Sequence, residues 1–157
     1  MTVKEFIKQV FVDEYNKIVI LGFHYVSFAL VGLGIEFLGA CLDPYGFRET
    51  RLSRARFTNA IKTLFPQAYE KHSNALYEDL RSGFAHQFRP GSGFWLTHRE
   101  ESQRENTQHL GAFRERTVLI AEDLYRDFSD ACRKVIEMID NGSLTHPKLF
   151  EPFLKVT

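Results

Sequence analysis

The string Leu80-Arg81-Ser82-Gly83-Phe84-Ala85-His86 places a guanidinium and an imidazole five positions apart. Arginine grips a phosphate through paired hydrogen bonds, and histidine moves a proton near neutral pH. One short segment therefore holds both tools of metal-independent phosphodiester chemistry. The spacing alone carries little weight, because Arg104 and His109 repeat it. Setting separates the two: Arg81 and His86 close a stretch that patterns as packed helix, whereas Arg104 and His109 fall in a polar stretch that reads as a flexible loop. On an ideal helix, at about 100° per residue, five positions set two side chains about 140° apart. The pair converges only if the helix loosens near Gly83, if the long arginine bends round, or if a second subunit completes the site.

The elements that must hold these residues are mostly helices. Val3, Phe6, Ile7, Val10 and Phe11 recur at three and four, and predict an amphipathic helix to about Tyr15 that breaks near Asn16 or runs on. From Ile18 to Leu42 only His24 and Glu36 are strongly polar, a run long enough for a bilayer span of roughly 20 residues. Glu36 deep in lipid is costly, four glycines interrupt the run, and the other amphipathic segments need an apolar partner, so the run reads as a central buried helix with no membrane contact. Asp43-Pro44-Tyr45-Gly46 stops it. Leu52 to Phe65 is a third helix closed by Pro66, and Ala68 to about Gln87 a fourth, with Leu76, Leu80 and Phe84 inward. Phe94 to Thr97 and Thr117 to Ile120 read as the strands of a small β-hairpin within an insert at about 90–121. Leu124, Phe128, Ala131, Val135, Met138 and Ile139 mark a last helix, with Glu122 and Asp123 at its start and Asn141-Gly142 at its end; the tail, about 143–157, then lies extended over the helices. The whole is expected to be one mainly α domain.

Composition narrows the partners. Lys plus Arg and Asp plus Glu are 20 each, so no global charge draws nucleic acid or membrane, and any such site must come from local clustering. Arg48, Arg51, Arg54 and Arg56 are the one modest cluster, either a basic face or the solvated start of a helix. Cys41 and Cys132 stand apart in apolar company, as buried reduced thiols would, and Met1 to Val10 lacks the pattern of a signal peptide; both suggest a cytoplasmic protein. No phosphate-binding loop, zinc spacing or nucleophile elbow occurs, so no metal and no cofactor are expected.

Other polar residues invite two readings each. Glu36 shares a helix face with Ala29, Gly32, Gly39 and Ala40, where another helix can approach closely; its carboxylate must find a donor there, Arg81 or His86 being at hand, either for chemistry or only to order the helix pair. His24 reads as a hydrogen-bonded core histidine. His98, His109 and Trp95 either line an RNA-stacking surface or pack the hairpin. Ser82 and Arg89, beside the Arg81 and His86 pair, and Trp95 beyond it are the candidate substrate contacts.

Leu76-Tyr77-Glu78-Asp79-Leu80-Arg81-Ser82-Gly83-Phe84-Ala85-His86, preceded by long helices and Gly34-Ile35-Glu36-Phe37-Leu38, resembles the HEPN superfamily, whose hallmark is an arginine, four to six residues, then a histidine. The resemblance spans about residues 3 to 87 and the last helix. It implies an up-and-down helical bundle, a homodimer with the motif near its two-fold axis, and an antitoxin-type protein partner in toxin members. It makes Arg81 the phosphate clamp, His86 the general acid or base, and Glu36 the acidic residue beside them. A ribose 2′-hydroxyl would attack the adjacent phosphorus and leave a 2′,3′-cyclic phosphate without a metal. Catalytic members commonly place Asn, Asp or His directly after the arginine, where this chain has Ser82. The expectation is therefore a HEPN-like protein that binds RNA or a nucleotide, with endoribonuclease as the alternative.

Overall fold

Thr2 and Glu5 form a reciprocal capping box that starts the first helix, satisfying backbone N–H groups a helix start leaves open. A computed structural model describes residues 1–144 and Lys148. Helix α1 (residues 3–20) is α-helical over Val3–Phe6 and Tyr15–Ile20, with wider π turns over Ile7–Glu14 between them. It passes Asn16 without a break and ends at Gly22, whose φ of +80° suits a residue with no Cβ. The apolar run is thereby divided: its first part finishes α1, and the rest is α2 (His24–Leu42). By length and composition α2 qualifies as a membrane span, yet 61% of that window is buried within the protein.

Helix α3 (Ser53–Leu64) follows, and Pro66 opens α4 (residues 67–87), which passes from 3-10 turns (Gln67–His72) through α (Ser73–Leu76) and π (Tyr77–Ser82) to a last α turn (Gly83–Gln87). Phe88 ends it in the left-handed region at φ +48°. The last helix, α6 (Ala121–Asp140), begins with Glu122 and Asp123 and ends before Gly142 at φ +70°. Ile35, Leu38, Phe57, Ile61, Leu76, Leu80, Leu124, Phe128 and Val135 meet in one core. Of the tail only Ser143, Leu144 and Lys148 are described; its expected path over the helices lies outside the described residues.

The small sheet departs from the expected hairpin. Strand β1 (Phe94–Thr97) pairs with β3 (Arg116–Ile120) in parallel, with Thr97 beside Ile120, and the connection carries helix α5 (Arg99–Arg104). Residues 98–115 are too long for a tight turn and long enough for the crossover that parallel pairing needs. The hairpin lies one strand later: β2 (Ala112–Phe113) runs antiparallel to β3 around Arg114 and Glu115, both at positive φ. That is the geometry of a two-residue hairpin turn, made here without the Gly or Asn that would announce it. The protein is thus mainly helical with a small three-stranded sheet.

The arginine cluster divides: Arg48, Arg51 and Arg54 are exposed around the start of α3, as a solvated helix start would be, but Arg56 is not. Arg56 is 4% exposed, with Nε 2.6 Å from Asp43 Oδ2 and Nη2 donating to the Gly46 carbonyl at 2.8 Å. Burial alone would raise the Asp43 carboxyl, but bonds from Arg56 and Lys148 hold it below its ordinary value. Arg54 pairs instead with Glu78.

Contacts to α2 depend on missing side chains. A Cβ on Gly39 would overlap the Arg56 carbonyl, one on Gly34 would overlap the Phe128 ring, and one on Gly32 would sit 3.0 Å from the Leu80 backbone. Gly39→Ala is expected to cost at least about 2 kcal/mol in urea unfolding, since backbone cannot yield as a side chain can. Gly46→Ala, where a Cβ meets nothing within 4 Å, should stay within about 0.5 kcal/mol of the parent.

Candidate functional site

Helix α4 runs antiparallel to α2: Leu80 lies against Gly32, Arg81 reaches Glu36, and Phe84 and Phe88 pack on Tyr25. The absent side chain of Gly32 brings the two backbones close, so the half-buried Glu36 carboxylate needs a donor from α4. Arg81 supplies it, its Nε donating to Glu36 Oε2, and Ser53 Oγ donates to the same oxygen at 2.8 Å. Tyr77 OH donates to Ser53 Oγ at 3.2 Å, and the Arg54 guanidinium lies 4.6 Å from the centre of the Tyr77 ring. Residues of α2, α3 and α4 therefore meet at Glu36. The sequence reading singled out Glu36 and Arg81 but missed Ser53, Tyr77 and the role of Arg54; Tyr77 and Arg81 at a four-residue spacing were the available signal.

Arg81 keeps its terminal amino groups for other work. Glu36 takes the Nε–H, and among the described residues no acceptor takes the Nη hydrogens; the side chain is 22% exposed. A guanidinium fixed at one edge and open at the other suits bidentate binding of a phosphate. His86 is not drawn into this network. It is exposed on the last turn of α4, five residues on and so about 7.5 Å further along the axis, and forms no hydrogen bond among the described residues. The helix does loosen, but its π turns take in only Arg81 and Ser82 of the stretch that separates the pair, and Gly83–Gln87 is α-helical again.

The other proposed substrate contacts scatter. Ser82 is half-buried and forms no side-chain cap bond at the last turn of α4. Arg89 is exposed, and its backbone carbonyl occupies the space a Cβ on Gly83 would need. Trp95 sits in the sheet, its ring centroid 5.3 Å from that of Phe113 and 5.4 Å from the Arg114 guanidinium carbon.

Two histidines differ from expectation. His109 lies in a turn between α5 and β2 but is anchored there, while Arg104 closes α5: the His109 Nδ1 accepts from the Ile120 N–H at 3.0 Å, and its Nε2 lies 2.6 Å from Tyr69 OH, which donates to Asp127 Oδ2 at 2.6 Å. Since Nδ1 accepts, the proton of the neutral ring resides on Nε2. His24 is not a hydrogen-bonded core residue. It is half-buried at the first turn of α2, stacks on His98 with centroids 4.7 Å apart, and leaves a buried Nδ1 without a partner. Cys41 and Cys132 are buried and free, and burial pushes both thiols up, Cys41 to about 12.

Comparison with protein-family models, with curated proteins and with solved structures finds no match.

Burial lowers the His109 pKa, so the folded protein resists protonation that the unfolded chain accepts near pH 6.5. The unfolded state then binds more protons as pH falls, so this stability is complete above about pH 6.5 and is lost as pH drops toward the folded value. The urea midpoint should therefore fall between about pH 7 and pH 5. His109→Gln should flatten that slope, leaving the part due to His72, which burial also lowers; an unchanged slope would show that other groups carry it.

Proposed function

We propose that this chain is a HEPN-like helical module that binds the phosphate of RNA or of a nucleotide at Arg81, and does so as a homodimer. The supporting observation is the Arg81 guanidinium, anchored through Nε to Glu36 and open at its amino edge. Arg54 lies over the Tyr77 ring, and each guanidinium carries its own carboxylate, Glu36 for Arg81 and Glu78 for Arg54. Net charge at the site is therefore small, and affinity rests on directed hydrogen bonds. The dimer draws on exposed apolar side chains: Leu33 and Tyr25 on α2, and Phe88, 62% exposed, which ends α4 and packs on Tyr25. Such residues on a second copy cover one another without a polar penalty.

A labelled single-stranded RNA titrated in EDTA is expected to bind in a salt-dependent manner and stay intact. Arg81→Lys, which keeps a cation for Glu36 but loses the planar fork, should weaken binding about tenfold. Glu36→Gln should tighten it severalfold by removing a competing carboxylate, and His86→Ala should leave it unchanged. Cleavage to 2′,3′-cyclic ends that vanishes in His86→Ala establishes the endoribonuclease reading instead; exposure of His86 favours that reading. Failure to bind single-stranded RNA, double-stranded RNA or nucleotides defeats both.

Light scattering is expected to give a dimer for the parent and a monomer for Leu33→Glu combined with Phe88→Asn. Asparagine suits the left-handed backbone at position 88, so unfolding would not explain the loss. A monomeric parent rules out the dimer while leaving the phosphate site untouched.

A further inference from the structure

His24, His98 and Glu122 converge from three elements far apart in sequence, each offering one donor atom, with all three donors within 4.8 Å of one another. Parallel pairing of β1 with β3 accounts for two of them. The register sets Thr97 beside Ile120, so His98, the residue after β1, and Glu122, in the first turn after β3, emerge side by side from the carboxyl ends of adjacent strands. The third arrives because the chain turns at Gly22 and starts α2 at His24. Carboxyl ends of parallel strands are where helix-flanked sheets place ligands.

One of the donors is also held. Glu122 Oε2 accepts the Arg99 backbone N–H at 2.9 Å, which fixes one carboxylate oxygen, and the Arg99 side chain is tied to Asp123. His98 is extended at φ −125° and precedes α5. The buried Nδ1 of His24 lacks any hydrogen-bond partner, a deficit that a buried polar atom seldom carries in a folded protein. The group lies in an open cleft of about 550 Å³, shared with Asn16, Ile20, Glu100 and Tyr125.

We propose that His24, His98 and Glu122 bind one divalent first-row transition-metal ion, with zinc as the natural occupant. Two imidazoles and a carboxylate form a borderline donor set that suits zinc better than calcium or magnesium. Bonds of about 2.0–2.2 Å bring tetrahedral donors to about 3.3 Å from one another, so as the ion enters the three close by up to about 1.5 Å and the His24 and His98 rings rotate out of their stack to point their lone pairs at it. Three protein ligands beneath an open cleft leave a coordination position for water or a small anion. This site is independent of Arg81: twelve residues of α2 separate His24 from Glu36, about 18 Å along the helix.

The full chain, stripped with a chelator and desalted, is titrated with Zn²⁺ by calorimetry and with Co²⁺ by visible absorption. The expected result is one ion per chain, a rise in melting temperature, and Co²⁺ d–d bands that shift when azide is added. His24→Ala, His98→Ala and Glu122→Gln should each weaken binding at least about tenfold and abolish the melting shift. A subtler pair removes only the support. Arg99→Pro deletes the N–H that holds Glu122 at a first helical position where proline is accepted, after a residue already extended as proline requires. It should bind about tenfold more weakly than Arg99→Ala, which loses the side chain alone. Matching melting temperatures of the metal-free variants and parent exclude unfolding, and the Arg99 pair remains informative where a ligand variant fails to fold. A parent that takes up neither ion, or uptake unchanged by all three ligand variants, overturns the site; bands indifferent to azide overturn its open position.

Discussion

The structure depends on how closely three helices approach α2. That helix is apolar on nearly every side, so it has no single face to bury and must be covered from several directions. Gly32, Gly34 and Gly39 make this possible by admitting Leu80 of α4, the Phe128 ring of α6 and the Arg56 backbone of α3 in turn. Each close approach trades a side chain for backbone proximity. One consequence is chemical: Glu36, between Gly32 and Gly39 on that surface, is caught in the seam where α3 and α4 both press on α2. A half-buried carboxylate there is tolerable only with donors, and Ser53 and Arg81 supply them. The polar network follows from the packing.

A second device sets the exit of α4. Asp79 is buried, and its Oδ2 accepts the Gly93 N–H at 2.8 Å, so a carboxylate inside the helix ties down the chain just before β1. Burial raises its pKa, the Gly93 and Phe94 N–H bonds oppose that rise, and Glu78 adds to it. Gly91 has no Cβ because Asp79 occupies that space, and Tyr25 OH donates to the Phe88 carbonyl at 2.8 Å. These contacts set where β1 begins and therefore where His98 emerges. Asp79 thus links the orientation of the helix bearing Arg81 to the cleft holding His98, although the two sites share no ligand.

Local rules predicted the helices well where a single element carried its own signal. The acidic start of α6, its periodic apolar face and Asn141-Gly142 at its end describe that helix almost completely, and Pro66 marks the end of α3. What escaped was most of what is decided between elements. Strand partners are not encoded in Phe94 to Thr97 or Thr117 to Ile120 separately, and the Arg114-Glu115 turn lacks the residues that usually reveal one. Arg56 looked like its neighbours because sequence does not show that Asp43 and two carbonyls wait behind it. Glu36 with Arg81 was legible because a carboxylate in an apolar run demands a partner wherever the fold goes.

The motif that first drew attention is divided by its own helix. Arg81 turns in toward α2, where Glu36 and the packing require a cation, while His86 stands on the exposed last turn. A spacing of five serves two neighbours on a helix only if the turns between them are widened, and here the π turns over Tyr77–Ser82 reach only the first residue beyond Arg81. Within one chain, then, Arg81 has the structural support that a binding residue needs, and His86 has the solvent access that a proton carrier needs. Neither has both. The converse holds for His24, His98 and Glu122, which share no motif and no stretch of sequence, yet are brought together by a left-handed glycine, a parallel register and one backbone N–H. In this fold, side chains capable of chemistry are brought together where elements end and others begin, and contiguity in sequence is a poor guide to it.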